Sequence, residues 1–217
     1  YPRTWWVILA VLGTAFNILM AYLAPVLIIP MFFKYEKIED TELCARLKKL
    51  ADDMGVKFMN IYRINLSKRT VKANAGLVGW GATRRVVLSD TMRREYSLDE
   101  ITVITAHEFA HYLRAHIIKL IAVQAVLSCL ILYVVFLTQQ SATGFLGLDR
   151  LNAPAAIPLL FLYMSLCGLL SRPIGNAVSR RFETEADAAA IKATGLRGAF
   201  ISSMEKLAAQ NLSDRNP

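Results

Sequence analysis

Several residue types are scarce in this chain, and each scarcity removes a class of function. Charge is sparse: Asp, Glu, Lys and Arg make up 19% of the 217 residues, against 55% hydrophobic side chains, and mean hydropathy is positive at +0.38. A soluble domain carries about a quarter charged residues, so an ordinary water-exposed fold is not the first reading. Histidine is rarer still, with 3 copies. A membrane di-iron desaturase or hydroxylase needs many more and is set aside. The 3 cysteines, Cys44, Cys129 and Cys167, show no paired spacing and read as small apolar residues, not disulfides or metal ligands. No repeat or low-complexity tract occurs.

The lack of charge is also local. Trp5 to Phe33, Leu120 to Leu148 and Leu151 to Ser171 contain no Asp, Glu, Lys, Arg or His. Each is longer than the roughly 20 residues a helix needs to cross about 30 Å of hydrocarbon, so three transmembrane helices are predicted. Helices buried in a large soluble enzyme are the alternative, and three such stretches in so short a chain argue against it. The first stretch is too long for a signal peptide and lacks a small-residue cleavage site. The chain starts at Tyr1 without Met and stops at Pro217 within a polar segment, so it is expected to be an internal piece of a longer protein.

Basic residues are plentiful, with a net charge of +8, but they are not interleaved with aromatics in a stripe, so nucleic acid is not an expected partner. Their distribution follows topology instead. The segment between Phe33 and the second span is rich in Lys and Arg, whereas the loop from Thr138 to Asn152 offers only Arg150. By the positive-inside rule the large segment is cytoplasmic. The basic segment after Ser171 lies on the same side if the second and third spans form a hairpin, so both polar segments can build one site.

After the first span, Asp40-Thr41 can cap a helix whose apolar positions Leu43, Leu47, Leu50 and Met54 recur at helical spacing, with Gly55 as its stop. Strand-like patterns follow at Ile61 to Ile64, Ala73 to Gly81 and Arg85 to Leu88, predicting a small sheet. Ser97-Leu98-Asp99-Glu100 has the form of a capping box. No Gly or Pro lies between it and the second span, which predicts one unbroken helix into the bilayer. Beyond Pro173 and Gly175, a helix is expected over Val178 to Lys192 and another over Ile201 to Ala209.

All three histidines fall between positions 107 and 116. In His107-Glu108-Phe109-Ala110-His111, the two histidines stand one above the other on one helix face, so two imidazole nitrogens can converge on an ion. Glu108, turned about 100° away, reaches the attacking water as general base. Two surface histidines on an amphipathic helix are the plainer reading, which the capped-helix context disfavours. Catalytic zinc keeps three protein ligands and an open position. His116 does not match the extended motif, which needs Gly at 114 and His at 117 where the chain has Arg114 and Ile117. It reads as an interfacial histidine. Arg181-Phe182-Glu183-Thr184-Glu185-Ala186-Asp187 offers Glu183 and Asp187 as an i, i+4 pair, with Glu185 pointing elsewhere, solvated or paired to an arginine. Spacing leaves open which of the pair binds metal and which orients a histidine ring. A surface cluster with Arg180 and Arg181 is the plainer alternative.

The combination of His-Glu-Phe-Ala-His, Ser-Arg-Arg-Phe-Glu-Thr-Glu-Ala-Asp, two intervening spans and Ala-Asn-Ala-Gly before a hydrophobic strand resembles the type I CAAX prenyl endopeptidases, integral-membrane members of the gluzincin class. The likeness covers nearly the whole chain, including Thr4-Trp5-Trp6 and Gln210-Asn211-Leu212-Ser213. It implies Glu183 as third zinc ligand beside His107 and His111, and Asp187 as the carboxylate that orients a ligand. It also implies Asn74 and Ala75 on an edge strand that holds substrate backbone by β-augmentation; a plain turn is the alternative for Asn74. Further spans upstream and a substrate-binding histidine beyond Pro217 are implied as well.

The expected fold is an α+β membrane protein, mainly α-helical, with three transmembrane helices and a zincin-like catalytic domain containing a small β-sheet. Residues 1–34 form a span, 35–116 the first part of the catalytic domain, 117–172 a transmembrane hairpin, and 173–217 a truncated second part. The expected activity is zinc-dependent hydrolysis of peptide or protein substrates prenylated at a C-terminal Cys. The setting is a bacterial inner membrane or the endoplasmic reticulum, with the lipid bilayer as partner. A membrane quality-control zinc protease without prenyl specificity and an inactive metal-binding scaffold are the alternatives, the latter disfavoured by the intact motif.

Overall fold

The computed structural model describes residues 3–24, 27, 29–65, 74–79, 84–145 and 157–213. In chain order the elements are α1 (Trp5–Leu23), α2 (Ile29–Phe32), β1 (Tyr35–Lys37), α3 (Thr41–Met54), β2 (Asn60–Ile64), β3 (Ala75–Val78), β4 (Arg85–Ser89), α4 (Asp90–Glu95), α5 (Leu98–Leu113), α6 (His116–Phe145), α7 (Ile157–Thr194) and α8 (Arg197–Ser213). They fall into two compact units, one of Tyr1–Met20 with Ile117–Arg181, the other of Ala21–His116 with Phe182–Pro217.

The first unit is helical and apolar on its outside. Among its described residues only Ala10, Leu132 and Val135 are buried, while Val7, Val11, Phe16, Val126, Leu130, Leu162 and Leu166 are exposed. A soluble core helix would hide such side chains. Trp6 packs on Tyr133 and Phe136 with ring centroids 5.2 and 6.1 Å apart. The Thr138 hydroxyl bonds the Val134 carbonyl at 2.6 Å and also meets Tyr163, which keeps its polar atoms satisfied. Two described stretches, Trp5–Leu23 and His116–Gln139, are long and apolar enough to cross a membrane. The predicted third span begins outside the described residues.

The second unit is built on a four-stranded mixed sheet of order β1-β2-β4-β3. β2 and β4 run parallel with Ile61 opposite Val86, and β3 pairs antiparallel to β4 with Ala75 opposite Leu88. α3 forms as its pattern predicts. The Asp40 side chain accepts the Leu43 amide at 3.1 Å, Gly55 closes the helix at φ 74°, and Leu43, Leu47, Leu50 and Ala51 are buried. These residues join Ile61, Val86, Leu88, Ile101, Ile104, Phe109 and Ala190 in one core. α5 is the central piece, packed against α3, α8 and β3. Its residues from Glu100 to Ala106 are buried on all sides, and Phe109 meets Phe58 with centroids 6.0 Å apart.

Several expectations change. Within the first apolar stretch α1 covers Trp5–Leu23 and α2 covers Ile29–Phe32, and the described residues between them, Ala24 and Leu27, are in π-helical turns. The short β1 and α4 lack any periodicity long enough to read. α5 does not run into the next helix. It ends at Leu113, and Ala115 takes a left-handed backbone, φ 51°, with its amide bonded to the Tyr112 carbonyl at 3.0 Å. That conformation costs a non-glycine residue about 1 kcal/mol. In contrast, no break follows Pro173, which lies inside α7, and α8 is longer than expected, starting at Arg197.

The capping box at the start of α5 also ties two helices together. The Glu100 amide donates to Ser97 Oγ at 3.2 Å, and Glu100 Oε2 accepts the Ser97 amide at 2.7 Å. The same carboxylate accepts Ser202 Oγ at 2.6 Å and Lys206 Nζ at 2.8 Å from α8. Burial by itself would raise its pKa; the hydrogen bonds from Lys206, Ser202 and the Ser97 amide override this and hold it at about 2, below the ordinary 4.5. Because the folded value is depressed, this contribution to stability is present above the unfolded value and fades as pH falls from about 4.5 to about 2. Glu100→Gln should therefore destabilise the protein by about 1–3 kcal/mol at neutral pH. Its melting temperature should converge on the wild-type value as the buffer is acidified toward pH 2; parallel curves across the whole range would show that the carboxylate's charge is not what joins α5 to α8.

Candidate metal centre

The last two turns of α5 carry His107, Glu108 and His111, and the C-terminal part of α7 carries Glu183, Glu185 and Asp187. All of them belong to the second unit. His107 Nε2 and His111 Nε2 face each other at 2.9 Å, Glu183 Oε2 lies 3.4 Å from His107 Nε2, and Glu183 Oε1 lies 3.7 Å from His111 Nε2. One donor atom from each of the three residues falls within 4.8 Å of the others. Two imidazole lone pairs so close repel unless a proton or a cation stands between them. Around a tetrahedral ion with bonds of about 2.1 Å, donors are about 3.4 Å apart, so the observed set fits such an ion. The open side is that of Glu183, whose side chain is 55% exposed.

Asp187, one turn beyond Glu183, approaches the other face of His107: Oδ1 is 2.9 Å from Nδ1, a close but oblique contact. The pair predicted to share a face thus reaches the same ring from two sides, Glu183 at Nε2 and Asp187 at Nδ1. Glu185 points away and pairs with Arg114 at 3.2 Å. Burial raises the Glu108 carboxyl to about 7, and the neighbouring Glu183 charge adds to the effect. Burial lowers the His111 pKa, assisted by His107 and opposed by Glu183, which favours the neutral ring that a metal needs.

Asn74 and Ala75 lie elsewhere on the same unit. Asn74 is exposed and exchanges two hydrogen bonds with Ser89: its amide donates to Oγ at 2.9 Å and its carbonyl accepts the Ser89 amide at 2.8 Å. Ala75 opens β3, the edge strand that packs against α5.

His116 has a further role in the packing that spacing did not indicate. It opens the second candidate span, as expected, but its side chain is buried in the protein, 1% exposed, with its Nδ1 2.9 Å from His111 Nδ1. In an unbroken helix a residue five positions on is rotated about 140° away. The turn at Ala115 removes that rotation. Nothing in the sequence marks it, since neither Gly nor Pro is present.

The model of peptidase family M48 matches residues 37–214. Over its whole length the chain is 30% identical to the protein named Uncharacterized metalloprotease YhfN of Bacillus subtilis, covering 52% of it. It is 32% identical, over 92% of its length, to a CAAX prenyl protease 1 homolog of Arabidopsis thaliana, covering 48% of that protein. Among solved structures, the crystal structure of S. mikatae Ste24p is similar with a TM-score of 0.78 and 27% identity, covering 95% of this chain and 52% of that one. The chain therefore spans about half the length of these relatives.

The donor set predicts one tightly held divalent ion. Zinc content after equilibration and dialysis should approach one ion per chain, and His107→Ala or Glu183→Ala should each weaken binding by more than about 100-fold, the upper end of what losing an outer partner costs. Unchanged zinc content in Glu183→Ala would remove α7 from the site.

Proposed function

The chain belongs to peptidase family M48, and we propose that it forms the catalytic part of an integral-membrane zinc metalloendopeptidase of the CAAX prenyl protease type. The observation that carries this reading is the convergence of His107, His111 and Glu183 with Glu108 one residue from the first donor. Zinc suits two imidazoles and a carboxylate with one side open, and when bound it supplies Lewis-acid polarisation of the scissile carbonyl and acidification of a water. Glu108 takes the proton from the attacking water and delivers it to the leaving amine nitrogen. Asp187 holds His107 in the tautomer that presents Nε2 to the ion. Ala75 opens the strand at the sheet's edge among the described residues, where an extended substrate can add as a strand; because the Asn74 amide and carbonyl are bonded to Ser89, Asn74 would hold substrate backbone through its exposed side chain.

The bilayer belongs to this reading. Three spans, with residues 117–172 as a hairpin between the two parts of the catalytic domain, account for the apolar surface of the first unit. The density of Lys and Arg between Phe33 and the second span supports a cytoplasmic catalytic side. A prenyl group on a C-terminal Cys would keep such a substrate at the membrane. The name of the Arabidopsis relative supports that substrate class.

In the full-length protein, Glu108→Gln should keep its zinc and lose at least about 100-fold in peptide cleavage. A variant that still cleaves at the wild-type rate would exclude Glu108 as the base. A farnesylated CAAX peptide should be cut faster than its unlipidated form; equal rates would sink prenyl specificity and favour a general membrane peptidase.

A further inference from the structure

We propose that His116 is a positioning residue for the metal centre: its Nδ1 accepts the Nδ1–H of His111 and so keeps the His111 Nε2 lone pair on the ion. The inference rests on the metallopeptidase reading and deepens it.

A buried histidine needs defined partners. The plane of His116 is set by Phe182, on which it stacks with centroids 4.4 Å apart and 6° between the rings. Its Nδ1 lies 2.9 Å from His111 Nδ1. Across the ring, Nε2 lies 3.7 Å from Glu185 Oε2, and Arg114 holds the same oxygen at 3.2 Å. The proton count then has one solution without charging a ring. A histidine that gives Nε2 to a metal keeps its proton on Nδ1. That proton points at His116 Nδ1, which must hold a lone pair, so the proton of His116 is on Nε2, on the side of the Glu185 carboxylate though beyond hydrogen-bond distance of it.

Each ligating histidine thereby has its own outer partner, Asp187 for His107 and His116 for His111. Phe182 immediately precedes Glu183, so one turn of α7 fixes both the plane of His116 and the third donor. Without the left-handed Ala115, His116 would face away from His111.

The test is zinc affinity of the full-length protein by chelator competition. His116→Leu should weaken zinc binding by about 10–100-fold, and His116→Asn, whose Oδ1 can accept in place of Nδ1, should recover most of it. A role confined to packing would give no such recovery. Equal affinity of wild type and His116→Leu overturns the proposal, as does a His116→Asn variant as weak as the Leu variant. A wild-type protein that binds no zinc overturns the metal reading itself and the proposal with it. If His116→Leu does not fold, the wild type decides: in [15N]histidine NMR of the zinc-loaded protein, an unprotonated Nδ1 and a protonated Nε2 on His116 support the proposal, and a protonated Nδ1 overturns it.

Discussion

Two imidazole nitrogens 2.9 Å apart, with a carboxylate oxygen beside each, make a cluster that needs a proton or a cation between the nitrogens. The second unit is organised around holding that cluster in place. α5 presents His107 and His111 from a helix whose preceding turns are buried on all sides. Phe109, between the two histidines, is in the core, so the pair cannot turn toward solvent without exposing a large aromatic ring. The N-terminus of the same helix is fixed by a carboxylate that caps its own amides and binds α8. A rigid support matters here because converging donors that relax apart lose the geometry that a metal requires.

The third donor comes from far along the chain. Glu183 lies on α7, separated from His111 in sequence by a stretch rich in apolar residues. Its neighbours carry related duties: Phe182 stacks on His116, Glu185 meets Arg114, and Asp187 reaches His107. This stretch of α7 thus contacts His107, His111 and His116. The exposed flank of Glu183 leaves one side of the cluster open to solvent, while β3, packed on α5, lies at an edge of the sheet among the described residues. Membership of peptidase family M48 makes this arrangement chemically intelligible.

Local signals were legible wherever they depended on three- or four-residue spacing. The caps of α3, the capping box at Ser97 and Glu100, the shared face of His107 and His111, and the common face of Glu183 and Asp187 all follow from helix periodicity. β1 is too short to carry a pattern, and α4 is too brief to show a stripe. Pro173 suggested a break where α7 continues, because proline weakens a helix without deciding its end.

The sequence by itself determined the donor types, their helical phase and the polar and apolar division of the chain, since these depend on residue identity and near neighbours. Tertiary structure alone decided which histidine nitrogen meets which partner. Ala115 adopts a strained backbone that its own identity disfavours, and the His116 ring is turned back by packing against Phe182. Contacts made across long sequence separations can override local preference, and the buried histidine beside the candidate ligand His111 is where they do so.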